Sequence, residues 1–147
     1  MKAIQANYKG KGRLFDKLIR LWTRSHYSHT ELIIDGVWYS SSYRDGGARA
    51  KRIINPNPNN WDFVEVEIDQ AYAMHVFNKH KGQGYDRLGI FFSQITPLNI
   101  HSKNKVWCSE LVAAMRGLPR PYTFNPKKIA NHKTTKPAKA GFLMSKI

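Results

Sequence analysis

The sequence predicts one domain in which helices pack against antiparallel strands, and three stretches carry that prediction. Leu32-Ile33-Ile34, Asp35-Gly36 and Val37-Trp38-Tyr39 spell a two-residue β-hairpin, because Asp-Gly suits the left-handed conformations of that turn. Leu14, Phe15, Leu18, Ile19, Leu21 and Trp22 recur with a helical period, with Arg13, Asp16, Lys17 and Arg20 between them. Val106 and Trp107 lead into a run of good helix formers from Ser109, which stops at Gly117.

In chain order, Ala3 to Tyr8 forms a short first strand and Gly10-Lys11-Gly12 a turn. The helix of Leu14 to Trp22 is expected to bury a broad apolar face in the core, rather than to anchor in a membrane. His29 stands at the entrance to the first hairpin strand, and Ser40, Ser41 and Ser42 at the exit of the second. An antiparallel return brings these ends together, so a serine can approach His29 from the side. Tyr43 to Gly47 reads as a turn and Asn55 to Asn60 as a polar, proline-broken loop. Val64-Glu65-Val66-Glu67-Ile68 alternates as a half-solvated strand does. Asp69 caps a helix through Ala71, Met74 and Phe77 that stops near Gly82 or Gly84. Tyr85-Asp86 opens an apolar segment, Leu88 to Gln94, which Pro97 ends. Asn125-Pro126 supplies a cap and first turn for Lys127 to Asn131. Lys133 to Lys139 reads as a linker, and Gly141 to Met144 as a closing edge strand. No repeat and no second domain is visible, so residues 1–147 form one domain with a basic segment at 126–147.

With 41% hydrophobic and 12% aromatic residues in 147, the chain can bury a real core, which excludes a disordered protein. A single cysteine excludes an internal disulfide and suits a reducing compartment. The start, Met1 to Tyr8, lacks a long apolar run behind a basic segment, so no signal peptide and a cytoplasmic location are expected. No apolar stretch approaches membrane-spanning length. The formal net charge of +14 permits nucleic acid, anionic lipid or an acidic wall polymer as partner. The chain has no acidic residue after Glu110. Lys127, Lys128, Lys133, Lys136 and Lys139 are therefore candidates for a polyanion site, against the plainer reading of a solvated basic surface.

Cys108 sits where a helix begins. A thiol there meets unpaired backbone N–H groups and the positive end of the helix dipole, and both favour thiolate, the attacking form. The plainer alternative is a buried cysteine packing as a small hydrophobe. His29, far upstream, tips the balance, because a lone cysteine with a remote histidine is the minimal sign of a thiol nucleophile. Acyl transfer needs a thiolate, a base within reach and N–H donors for the oxyanion, and the Cys108 backbone can supply one such donor. The other histidines offer less. His75 and His80 are five apart and do not stack on one helix face, and with His26, His101 and His132 they show no ligand spacing. No metal and no cofactor is expected. Gly82-Gln83-Gly84 lacks the ending of a phosphate loop. Trp22, Trp38, Trp61 and Trp107 read as core or pocket wall.

Three segments, Tyr27-Ser28-His29-Thr30-Glu31-Leu32-Ile33, Tyr85-Asp86 and Trp107-Cys108-Ser109-Glu110-Leu111-Val112, resemble the circularly permuted branch of the NlpC/P60 superfamily of papain-like thiol hydrolases. In that branch the histidine precedes the cysteine, as here. The resemblance runs from about Gly10 to Asn131, and with Tyr39 to Gly47 the chain is similar to small phage-encoded members. It implies an α+β papain-like fold, with an antiparallel sheet carrying the histidine and packed against the helix carrying the cysteine. It implies Cys108 as nucleophile and His29 as general base, oriented by a polar residue from the next strand. Ser40 stands at or near that position. A neutral serine stabilises an imidazolium less than a carboxylate does, so a Cys–His dyad describes the pair fairly. Glu31, two residues from His29 and on its face, is the second candidate. Glu110 reads as an acidic charge complementing the helix dipole.

The function implied is a thiol-dependent hydrolase cleaving an amide in a peptide or cell-wall fragment through an acyl-enzyme, in the host cytoplasm if phage-encoded. One alternative is a lipid acyl-ester or thioester hydrolase or acyltransferase acting on an acyl lipid. Another is a basic module of weak catalysis that binds nucleic acid or another polyanion.

Overall fold

Among the described residues, six strands pair in the order β4-β3-β2-β1-β5-β6, every pair antiparallel: β1 (Lys2–Tyr8), β2 (His29–Ile34), β3 (Val37–Ser42), β4 (Gly47–Lys51), β5 (Trp61–Glu67) and the two-residue β6 (Lys136–Pro137). The α-helices among the described residues are α1 (Leu14–Thr23), α2 (Gln70–His80), α3 (Cys108–Met115) and α4 (Pro126–Ala130). This computed structural model describes residues 1–42, 45–82, 106–132 and 136–137. The fold class is α+β.

Local chemistry accounts for the elements. Asp35 and Gly36 take φ of 50° and 75°, the left-handed pair that closes a two-residue hairpin. Asp69 Oδ1 accepts from Tyr72 N at 3.0 Å and caps α2, and Asn125 Oδ1 accepts from Lys128 N at 2.8 Å and caps α4. Asp16 Oδ2 reaches back to Arg13 N at 2.7 Å and fixes the start of α1.

The two-residue period sorts side chains between the sheet's faces. Ala3, Leu32, Ile34, Tyr39 and Val66 face α2, α3 and Ile129 of α4, meeting Val76, Phe77, Leu111, Val112 and Met115 in the main core. Ile4, Ala6, Ile33 and Trp38 face the other way and form a smaller cluster with Trp61 and Phe63. There Trp38 and Trp61 meet edge to face, 5.1 Å between ring centroids.

Three expectations are corrected. Residues 48–51 form β4 beyond the predicted turn. Ala48, Arg49, Ala50 and Lys51 have little intrinsic strand preference, and pairing with β3 supplies what propensity does not. Lys136 and Pro137, expected in a linker, pair with Glu65 and Val64 of β5. The apolar stripe of α1 does not all turn inward: Ile19 is 2% exposed, but Leu14 and Leu21 are 72% and 71% exposed. Its apolar positions cover more of the helix circumference than one contact can bury, and the buried sector is the one holding Asp16, Ile19 and Thr23. The segment from Tyr85-Asp86 to Pro97 and the edge strand at Gly141 to Met144 lie outside the described residues, as do Tyr43 and Arg44 of the first turn.

Candidate active site

The site forms where β2 begins. Thr30 Oγ1 donates to Asn7 Oδ1 at 3.0 Å, tying this end of β2 to β1. Tyr27, just upstream, donates to Asp62 Oδ2 at 2.7 Å, and Lys9 holds the other carboxylate oxygen at 2.6 Å. His29 is therefore held on both sides along the chain.

Its ring meets a carboxylate on its own strand. His29 Nε2 lies 3.1 Å from Glu31 Oε1. Glu31 in turn accepts both arms of Arg49, Oε1 from Nη2 at 2.7 Å and Oε2 from Nη1 at 2.8 Å, the bidentate fork that is the strongest form of this contact. Arg49 Nε donates to Asp45 Oδ2 at 2.7 Å, and Lys51 approaches the same oxygen at 3.2 Å. Arg49 stands on β4 and Glu31 on β2, with β3 between them. The guanidinium crosses β3 at Ser40, the residue directly paired with Arg49. A small side chain at 40 leaves room for that crossing.

Ser40, first candidate to orient the imidazole, does not do so. Its hydroxyl donates to the Thr30 carbonyl at 2.6 Å and is fully buried. Glu31, the second candidate, holds the position beside the ring. Arg49 and Asp45 belong to the site although no local motif marks them. The signal for Arg49 lay in the turn at Asp45-Gly46-Gly47: a hairpin there sets position 49 against position 40, and a buried Glu31 requires a cation.

Cys108 is the first residue of α3 and wholly buried. Trp107 precedes it with no side-chain cap, so the first N–H groups of α3 receive no oxygen from that residue. Trp107 Nε1 and Ser109 Oγ both donate to the Phe124 carbonyl, at 2.9 and 2.7 Å, and lock the helix start. Ser41 Oγ donates to the Val106 carbonyl and fastens it to β3. Glu110 stands in the first turn, 8% exposed, at the positive end of the helix.

Cys108 lies near enough to His29 for its side chain to act on the ring's protonation. Burial alone would push the imidazole pKa down, but the charge and hydrogen bond of Cys108, joined by those of Glu31, outweigh it and raise the pKa to about 9. Burial would likewise raise the Glu31 pKa, yet hydrogen bonds and charge from Arg49 and His29 hold it at about 2. Asp45 is also held below its ordinary value, its hydrogen bond to Arg49 overcoming burial. The arrangement is a line of alternating charge running from Asp45 through Arg49 and Glu31 to His29.

A cavity of about 160 Å³ opens beside this line. Tyr8 and Trp61, in edge contact at 5.0 Å, line it together with Asp16, Lys51 and Ile53. His29, Glu31 and Arg49 also reach it, whereas Cys108 is not among its lining residues.

Lys127 and Lys128 are exposed on α4 and Lys136 lies in β6, while Lys133 and Lys139 fall outside the described residues. Among the described residues there is no cluster of three or more metal-ligating side chains, and no helix is long and apolar enough to cross a membrane. Comparison of the chain with protein-family models and with curated proteins finds no match.

Proposed function

We propose that the chain is a thiol-dependent hydrolase of the papain-like, permuted NlpC/P60 type, cleaving an amide bond in a peptide or cell-wall-type substrate. One observation carries this reading: the histidine that neighbours the only cysteine is itself held by a buried, arginine-locked carboxylate. A cysteine serving only as a core hydrophobe needs no such line of charge behind it.

The chemistry follows from the donors. A protonated imidazole donates from both nitrogens, so with Nε2 directed at Glu31, Nδ1 is left for the sulfur. The thiolate attacks the carbonyl carbon, and the carbonyl electron pair moves to oxygen. Backbone N–H groups at the start of α3, that of Cys108 among them, receive the oxyanion. The intermediate collapses, the C–N bond breaks, and the leaving nitrogen takes its proton from His29. Neutral His29 then accepts a proton from water as that water attacks the thioester carbon. The acid departs, the sulfur leaves as thiolate, and His29 is again protonated. Glu31 keeps the ring oriented throughout and offsets its charge, with Arg49 as the positioning residue behind it.

Acylation by p-nitrophenyl acetate, followed by intact mass, tests the reading. Wild type should gain one acetyl group that Cys108→Ala does not accept, and His29→Ala should lose about as much rate as Cys108→Ala, because groups acting as a unit fail together. Wild-type rates in His29→Ala would remove the proposed mechanism.

A further inference from the structure

The buried residues of helix α1 fall in one narrow sector. Asp16, Ile19 and Thr23 are 4%, 2% and 8% exposed. At about 100° per residue they fall within roughly 60° of one another. Leu14 and Leu21, seven residues apart and so nearly stacked, lie opposite that sector, 72% and 71% exposed. Leu18 and Trp22, half-buried, extend the apolar strip along one side. Exposed Lys11, Arg13, Lys17 and Arg24 surround it, and the only acid between residues 11 and 24 is the buried Asp16. A merely solvated helix face is polar, whereas this one pairs large aliphatic side chains with cations alone.

A second segment repeats the pattern nearby. Ile54 is 84% exposed and follows exposed Arg52 and Lys51, the lysine paired with Asp45 at 3.2 Å. Its neighbour Ile53 and Asp16 of α1 line the same cavity as His29. Both segments thus contribute to the wall of one cavity, α1 through its buried sector.

We propose that α1 and the segment 52–54 dock the protein on an anionic lipid surface, with Leu14, Leu21 and Ile54 entering the boundary between headgroups and acyl chains and the cations meeting lipid phosphates. Leucines flanked by basic residues on one helix face are the composition of an interfacial helix. A nucleic acid would engage the cations and leave the leucines in water. A lipid surface satisfies both, and its uniform negative charge complements a helix face whose one acid, Asp16, is buried.

Sedimentation of the full chain with vesicles tests the proposal, using equal parts phosphatidylcholine and phosphatidylglycerol against phosphatidylcholine alone. Wild type and Cys108→Ala should both bind the anionic vesicles, and only weakly the neutral ones. The variant Leu14→Asn/Leu21→Asn should partition at least about tenfold less, because the apolar area it would bury is gone. Its melting temperature should hold, since both side chains already lie in water. Lys17→Glu/Arg24→Glu should lose binding as well, whereas Lys127→Gln/Lys128→Gln should keep it. The proposal fails if wild type does not bind, if the leucine variant binds as wild type does, or if light scattering shows a dimer that the leucine variant dissolves, which would assign the face to a second copy of the chain.

Discussion

Helices α1 and α3 read oppositely in sequence and in structure. The α1 residues show the cleaner amphipathic period, yet two of its leucines stand in water. The α3 residues show little period, yet Cys108 through Ala113 and Met115 are all buried. Periodicity reports that a helix has two faces; it does not report how many neighbours those faces meet. α3 is packed against the sheet at β2 and β3, against α2 and against the turn at Pro121–Thr123, so it needs no polar face. The buried residues of α1, Asp16, Ile19 and Thr23, fall in one sector. The consequence for function is direct, because a dry helix start can hold a reactive sulfur in a fixed field, and a surface helix can meet something outside the protein.

The largest effect should come from cutting the line of charge behind the α3 start. Arg49→Ala leaves Glu31 buried without its fork, and an uncompensated buried charge costs about 3–5 kcal/mol. The melting temperature should fall steeply, and the variant should acylate more slowly than wild type with a shifted pH profile. Unchanged stability would show that Glu31 finds its compensation elsewhere.

Next come the two helices themselves. Leu111→Ala, in the main core, should destabilise by about 2–5 kcal/mol, whereas Leu21→Ala should stay within about 0.5 kcal/mol. Denaturant unfolding of both variants measures the contrast directly, and equal losses would mean that α1 is as deeply packed as α3.

Stability against pH is the third probe. The His29 pKa is raised from 6.5 to about 9, so its contribution is complete below 6.5 and lost as pH rises through about 9. The Glu31 pKa is lowered from 4.5 to about 2, so its contribution is complete above 4.5 and lost as pH falls through about 2. Together these groups favour the fold most between about pH 4.5 and 6.5. Glu31→Gln should flatten the acid limb of a melting curve taken against pH, and an acid limb unchanged by that variant would place the effect in other carboxylates.

Ser40 gives the smallest effect on activity. Ser40→Ala removes one hydrogen bond to the Thr30 carbonyl, about 1 kcal/mol, and should leave the acylation rate within about threefold of wild type. Ser40→Glu should do harm, because it sets a second carboxylate under the crossing of Arg49. A rate increase in Ser40→Glu would restore residue 40 as the orienting group.

These residues show what could be read in advance. The Asp35-Gly36 turn, the Asp69 and Asn125 caps and the placing of Cys108 at a helix start are local, written in a few neighbouring residues. Glu31 was within reach for the same reason, since a period of two is enough to set it beside His29. Arg49 was not, because its role exists only once β4 has paired with β3 and a side chain has crossed an intervening strand. Ser40 misled because the end of a hairpin gives nearness along the backbone without giving the direction of a hydroxyl. The exposure of Leu14 and Leu21 was hidden for the converse reason: pattern marks an apolar face, and only the assembled neighbours decide whether anything covers it.

The proposed mechanism requires His29 to be an imidazolium between Cys108 and the Arg49-locked Glu31. Titration of the His29 ring by carbon-13 NMR tests it most directly. A midpoint near 9 is expected, moving down in Glu31→Gln and further down in Cys108→Ala. A midpoint at or below the ordinary 6.5, unmoved by either substitution, would contradict it.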